Sequence, residues 1–143
     1  MRILVCGDRN FSDWQRVRKF MDSLGPDDVV IEGEAPGADI LARDAAKRRR
    51  LTVDPYFAHW KHTKECPSNC NRMTGKPAGP IRNTQMLDEG KPDRVVAFHD
   101  DIEQSKGTKN MLKQALKRNI PCHICTWIED GREIYLMPYR RGL

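Results

Sequence analysis

The sequence lacks any apolar run long enough to span a bilayer, and its first residues place charge and glycine too early for a signal peptide. It also lacks internal repeats and low-complexity segments. Its five cysteines are an odd number, which favours thiols or metal ligands over a disulfide framework. We therefore expect a cytoplasmic protein that does not contact a membrane.

The charge balance favours anionic partners without choosing among them. The chain has 25 Lys and Arg against 20 Asp and Glu, a formal net charge of +5. The densest basic run, residues 47–50, ends a predicted helix, where cations stabilise the helix dipole. Because no nucleic-acid reader motif and no aromatic platform for RNA is visible, we do not expect nucleic acid as the partner.

Predicted strands alternate with predicted helices along the whole chain. The strands lie at 2–6, 28–32, 52–57, 94–98 and 120–126, and the helices at 14–24, 39–50, 80–89 and 107–118. This alternation predicts one Rossmann-like three-layer α/β domain over residues 1–143, with a parallel sheet of order 3-2-1-4-5. Asp130-Gly131 predicts a C-terminal hairpin, and residues 59–76 form an insert rich in Cys and His.

Four loops carry glycine or small polar residues where backbone N–H groups can receive a phosphate. In an open α/β sheet such loops meet at the carboxyl ends of the strands. The candidate ligand-binding residues in these loops are Gly7, Arg9, Gly33, Gly37, Asp39, Lys76, Gly79, Arg82, Asn83, Ser105, Gly107 and Thr108. We expect the partner to be a nucleotide or a nucleotide-derived small molecule.

Two of these positions admit more than one interpretation. Asp39 is suited to accept hydrogen bonds from ribose hydroxyls, but an acid in a first helical turn is also favoured by the dipole alone. Arg82 and Asn83 fall in the first turn of a predicted helix, where the dipole disfavours a cation. An anion bound between them removes that conflict.

The motifs together resemble those of the SLOG superfamily, in its small YpsA-related branch. They are G-x-R-x-F at 7–11, G-x-A-x-G-A-D at 33–39, A-x-W at 58–60, A-G-P-x-R-N at 78–83 and S-K-G-T at 105–108. The resemblance implies a Rossmann-like fold that binds nucleotides, nucleotide sugars or related signals, as an enzyme or as a sensor. It is compatible with a homo-oligomer.

The cytokinin-activating phosphoribohydrolases are distant relatives within this resemblance, and they hydrolyse an N-glycosidic bond of nucleoside monophosphates. Residues 82–86 are similar to their R-K-x-x-M motif, but no glutamate follows Thr108 where their second motif has two. Two functions therefore stay open. One is hydrolysis by Arg82 with a carboxylate from Asp100 or Asp101, for which Glu103 and Glu34 are alternatives, and the other is a non-catalytic sensor or sequestering module.

The insert carries a candidate zinc site with the pattern H-x2-H-x3-C-x3-C, formed by His59, His62, Cys66 and Cys70. The alternative is that these are a strand-end histidine and ordinary loop residues. The core site itself requires no cofactor.

Several large or sulfur-containing residues are expected to pack in the core. Trp60 is a candidate for stacking on a base, although strand-end aromatics more often cover the core, and Trp14 and Trp127 are interpreted as packing residues. We also expect Cys6, Cys122 and Cys125 to be buried.

Overall fold

The computed structural model describes residues 1–58, 78–128 and 131–140. In chain order the elements are β1 (Arg2–Gly7), α1 (Trp14–Asp22), β2 (Val29–Glu32), α2 (Ala38–Arg48), β3 (Thr52–Pro55), α3 (Ala78–Asp88), β4 (Arg94–Phe98), a 3-10 turn (Ile102–Gln104), α4 (Lys106–Lys117), β5 (Cys122–Trp127) and β6 (Ile134–Tyr139). No helix within these described ranges is long and apolar enough to cross a membrane.

The strands form one sheet of order β3-β2-β1-β4-β5-β6. Strands β1 to β5 pair in parallel, and β6 returns antiparallel to β5. The predicted Rossmann-like order is confirmed. The predicted hairpin forms the last two strands, with Trp127 opposite Ile134 and the pairing continuing to Cys122 opposite Tyr139.

Side chains on the two faces of the sheet form two separate apolar clusters, since neighbouring residues of a strand point to opposite faces. Helices α1 and α2 cover the cluster that includes Ile3, Val5, Phe20, Val30 and Phe98. Helices α3 and α4 cover the cluster that includes Leu4, Ile31, Met86, Val95 and Leu112. Full burial of one such side chain contributes about 1.5–3 kcal/mol, so this sandwich is the main source of stability.

One arginine of the basic run at the end of α2 has a structural role. Arg49 donates from Nη1 to the backbone oxygens of Met21 and Leu24, the latter at 2.7 Å. These carbonyls lie at the end of α1, where backbone oxygens lack partners within the helix. The run thus includes a tie between α2 and the end of α1.

The tryptophans outside the insert differ in burial. Trp127 donates its indole N–H to Asp13 at 2.7 Å and is partly buried, as expected of a packing residue. The same interpretation is wrong for Trp14, which is 47% exposed and contacts the guanidinium of Arg18, 4.5 Å from its ring centre. Trp14 begins α1 on a turn of the helix that faces outward, so the sheet does not cover it.

The expected burial of the three cysteines outside the insert is confirmed. Cys6, Cys122 and Cys125 are buried free thiols. Burial raises the pKa of Cys122 to about 11 and that of Cys125 to about 12, so these thiols stay protonated.

Candidate functional site

A cavity of about 300 Å³ opens at the carboxyl ends of β1 and β4, the neighbouring strands at which the chain connections change direction. Of the predicted ligand-binding residues, those that line it are Gly7, Arg9, Asp39, Arg82, Asn83, Ser105, Gly107 and Thr108. Residues from widely separated motifs are therefore brought to one place.

Gly7 and Gly37 allow the first two loops to approach the rest of the fold closely. A Cβ at Gly7 would lie 2.2 Å from the backbone oxygen of Phe98. Gly37 has φ +81°, and a Cβ there would lie 2.3 Å from the oxygen of Asp8. That oxygen accepts a hydrogen bond from the N–H of Ala38 at 3.1 Å, so these glycines fix the position of the cavity floor.

Gly33 makes room for Arg82. Arg82 Nη1 donates to the oxygen of Gly33 at 2.7 Å, and a Cβ on Gly33 would lie 2.7 Å from the same nitrogen. Gly33 and Gly37 do not line the cavity among the residues described, and their internal contacts account for both glycines.

Arg82 and Asn83 lie beyond the first turn of α3, because the helix already includes Ala78 and Gly79. The expected conflict with the helix dipole at a first turn is therefore wrong. Gly79 is buried within that helix and does not line the cavity in the described part of the chain. Asn83 instead joins two elements, since its amide donates to Asn110 Oδ1 at 3.2 Å on α4.

Asp39 occupies a position that is compatible with both interpretations that the sequence left open. It lies in the first turn of α2 and also lines the cavity, with only 7% of its surface exposed. Burial raises its pKa to about 6, while the guanidinium of Arg82 and the N–H of Ala35, 3.3 Å away, oppose that rise. This carboxyl therefore changes protonation state close to neutral pH.

The cavity also holds two guanidinium groups, those of Arg9 and Arg82. Burial lowers the pKa of Arg82, Asp39 opposes this, and the positive charge of Arg9 lowers it further. The repulsion between these cations is relieved by an anion that contacts both.

The start of α4 forms another wall. Ser105 accepts a hydrogen bond from the N–H of Thr108 at 3.0 Å and caps the helix. A Cβ at Gly107 would meet nothing within 4 Å among the residues described, so its backbone borders open space. Lys106 lines the same cavity.

The predicted catalytic carboxylates Asp100 and Asp101 are not among the described residues that line the cavity. Asp100 accepts a hydrogen bond from Arg16 Nη1 at 2.8 Å, and its side chain is 74% exposed. Of the alternatives, Glu34 accepts from Arg43 at 2.7 Å and Glu103 from Lys109 at 3.0 Å.

Sequence reasoning missed several residues at this site, among them Lys106, and two further ones are His99 and Glu32. His99 lines the cavity, and its Nδ1 accepts from the N–H of Asp101 at 2.9 Å, so neutral His99 carries its proton on Nε2. Glu32 is fully buried at the end of β2, and its Oε2 accepts from the N–H of Glu34 at 2.5 Å. Burial, with the Glu34 carboxyl, raises the pKa of Glu32. The sequence contains one signal for Glu32, namely that this acid directly follows the apolar run Val-Val-Ile of a predicted strand.

The remaining predicted residues, His59, Trp60, His62, Cys66, Cys70 and Lys76, lie outside the described residues. The zinc site and the stacking role of Trp60 stay predictions. Elsewhere in the chain, over the residues that are described, no group of three His, Cys, Asp or Glu side chains is arranged to hold a metal ion.

The strand order and the cationic cleft at its switch point define a Rossmann-like α/β protein. Residues 1–62 match the model of the YspA, cpYpsA-related SLOG family. This match confirms the resemblance to the SLOG family for the motifs that lie within these residues.

One comparison with a solved structure supports the fold. The structure is similar to that of DNA processing protein A (DprA) from Streptococcus pneumoniae, with a TM-score of 0.68, 16% identity and coverage of 91% of this chain and 52% of that one. The chain thus spans about half the length of DprA. It also matches a UDP-GlcNAc 2-epimerase from Neisseria meningitidis bound to UDP-GlcNAc, with a TM-score of 0.46, 14% identity and coverage of 89% and 32%. A comparison with curated proteins finds no match.

Proposed function

We propose that the cavity binds a nucleotide-derived ligand through a phosphate group. The observation that carries this proposal is the pair of guanidiniums, Arg9 and Arg82, in one cavity with the open backbone of Gly107. Helix N-termini at the switch point of an α/β sheet are favourable places for a phosphate. The match of residues 1–62 to a SLOG family model supports a nucleotide-related ligand.

Each wall of the cavity has a role in this proposal. Arg9, Lys106 and the N–H groups at the start of α4 donate to the phosphate, because charge-assisted bonds of this kind are the strongest available. Asp39 accepts a hydrogen bond from a ribose hydroxyl. Arg82 acts mainly by its charge, since its Nη1 already holds Gly33.

The test is isothermal titration and thermal denaturation with nucleoside monophosphates, nucleotide sugars, NAD and cyclic nucleotides. A ligand at a hundred times its Kd stabilises the fold by about 2.7 kcal/mol. We expect Arg9→Ala to weaken binding at least about tenfold, a change of 1.4 kcal/mol. The matched control is Arg18→Ala, which removes the same charge from the exposed contact with Trp14. No response to any of these compounds refutes the proposal.

A second candidate is hydrolysis of an N-glycosidic bond, and the pKa of about 6 for Asp39 favours it. A carboxyl that titrates near neutral pH is suited to proton transfer at that pH. In this reaction Asp39 accepts a proton from water, the oxygen of that water bonds to the anomeric carbon, and the bond between that carbon and the base nitrogen breaks. The departing base takes up one proton from solvent, and Asp39 releases its own proton to solvent afterwards. Asp39 replaces Asp100 and Asp101 as the proposed carboxylate, because it lines the cavity.

Product analysis separates the enzyme from a sensor. If the protein is a hydrolase, Asp39→Asn retains ligand and loses turnover, because the amide cannot accept the proton. A ligand that is bound tightly and recovered intact from the unmodified protein contradicts the hydrolase and favours a sensor or sequestering module.

A further inference from the structure

A second groove continues from the cavity along the outer side of α4. It is lined by Glu103, Gln104, Ser105, Lys106, Lys109, Asn110 and Lys113. Three of these residues, Gln104, Ser105 and Lys106, also line the cavity. The groove therefore adjoins the cavity at these three residues.

Lysines form a row along this groove. Lys106, Lys109 and Lys113 are spaced three and four residues apart, which places them on one side of the helix. Their positions span about 10 Å along the helix axis, more than one phosphate group can contact. Lys106 and Lys113 are exposed and have no ion pair with any residue that the structure describes.

The third lysine has only a weak internal partner. Lys109 pairs with Glu103 at 3.0 Å, and both side chains are substantially exposed, at 38% and 68%. Exposed pairs of this kind contribute little to stability. In addition, cations in the first turns of a helix oppose its dipole, so folding alone does not favour lysines at 106 and 109.

We propose that this groove holds a second phosphate of an elongated nucleotide-derived ligand, one phosphate being held in the cavity. The inference rests on the proposed function. It narrows the ligand to molecules with two phosphates, either linked directly as in a nucleoside diphosphate or separated by a sugar as in a 5′-phosphorylated dinucleotide. The groove has no aromatic side chain among the residues that line it, so it offers no stacking platform for a long single strand.

The experiment titrates the protein with AMP, GMP, CMP and UMP, with the four diphosphates, and with the four 5′-phosphorylated homodinucleotides. The groove variants are Lys109→Gln and Lys113→Gln. The matched control is Lys117→Gln, which removes an exposed lysine from the same helix one turn beyond the groove.

We expect ligands with a second phosphate to bind more tightly than the monophosphates. Each groove variant should weaken the binding of these ligands by about threefold to fivefold. Monophosphate binding and the Lys117→Gln protein should be unchanged. Glu103→Gln should tighten binding of the same ligand, because the carboxylate competes for Lys109. Comparing the affinities of the diphosphates and the dinucleotides identifies the preferred class of ligand.

The outcomes distinguish the two proposals. If monophosphates bind but a second phosphate adds no affinity, or if Lys117→Gln acts as strongly as Lys113→Gln, the groove is refuted and the cavity stands. If none of the compounds binds, both are refuted. A third outcome is that the affinity for oligonucleotides keeps rising well beyond a length of two nucleotides, while the slope of log K against log salt concentration steepens by about 0.7 for each phosphate. In that case the partner is nucleic acid, and the inference of a small ligand is overturned.

Discussion

Replacing Gly107 with alanine separates stability from ligand binding at the start of α4. The added Cβ meets nothing within 4 Å among the residues described, and Gly107 is not among the residues with positive φ. Glycine to alanine at a compatible helical position stabilises by about 0.4–1 kcal/mol, chiefly by restricting the unfolded chain. For a chain of this size that raises Tm by roughly 1–4 °C.

The same methyl group projects into the space where we place the phosphate. We therefore expect nucleotide affinity to fall at least about tenfold, a loss of 1.4 kcal/mol, while Tm without ligand rises. Thermal denaturation gives the first quantity and isothermal titration the second. Gly25→Ala is the control, because its Cβ would meet only the Asp28 carboxylate at 3.7 Å, an ordinary contact outside the cavity.

Opposite signs of the two effects are the essential result. A variant that is more stable and binds as tightly as the original protein would show that no ligand approaches Gly107. A variant that is less stable would show that the backbone at the start of α4 differs from the geometry described.

Three further results are expected. Gly37→Ala should destabilise by at least about 1–3 kcal/mol in urea denaturation, since φ is +81° and the Cβ would meet Asp8; an unchanged midpoint would contradict that close approach. Arg49→Ala should cost about 1–3 kcal/mol, because the Leu24 carbonyl loses its donor and the Met21 carbonyl keeps only the backbone N–H of Leu24. Exposed Arg48→Ala should change stability by less than about 0.5 kcal/mol, and equal effects of the two variants would refute the structural role. Burial raises the pKa of Asp39 from 3.8 to about 6, so the protonated form is favoured in the fold and stability falls by about 3 kcal/mol as pH rises from 4 to above 6. Asp39→Asn should lose that part of the pH dependence of Tm, and a variant with the original pH profile would assign it to other groups.

The fold could be predicted from the sequence because its signals are local. The run Ile3 to Cys6 is apolar throughout and the helices follow at regular intervals, so alternation alone gives a parallel sheet with both faces covered. Even the hairpin has a local signal in the sequence, the dipeptide Asp130-Gly131. Each of these signals needs only neighbours in the sequence.

The site could be predicted only in part, because its contacts join distant residues. The loop pattern predicts Gly33 as a ligand contact, whereas in the structure this glycine makes room for Arg82, 49 positions later. The sequence likewise predicts Asp100 as a catalytic carboxylate, whereas in the structure it accepts a hydrogen bond from Arg16, 84 positions earlier. The sequence shows that a residue is polar and lies near a strand end. It does not show which distant side chain contacts that residue in the folded protein.

Buried ionisable groups give the cavity its charge. Glu32, Asp39 and Arg82 are largely removed from water at the carboxyl ends of the sheet, where burial without compensation is unfavourable. Burial raises the pKa of both carboxyls, so Glu32 is protonated at neutral pH and Asp39 is protonated below about pH 6. Burial lowers the pKa of Arg82, and the hydrogen bond to Gly33 together with the Asp39 carboxyl favours its charged form. Burial therefore suppresses the negative charge of Glu32 at neutral pH and that of Asp39 only below about pH 6, while the guanidinium charge of Arg82 persists. The balance of charge around Arg82 is thus most favourable to a bound anion below about pH 6.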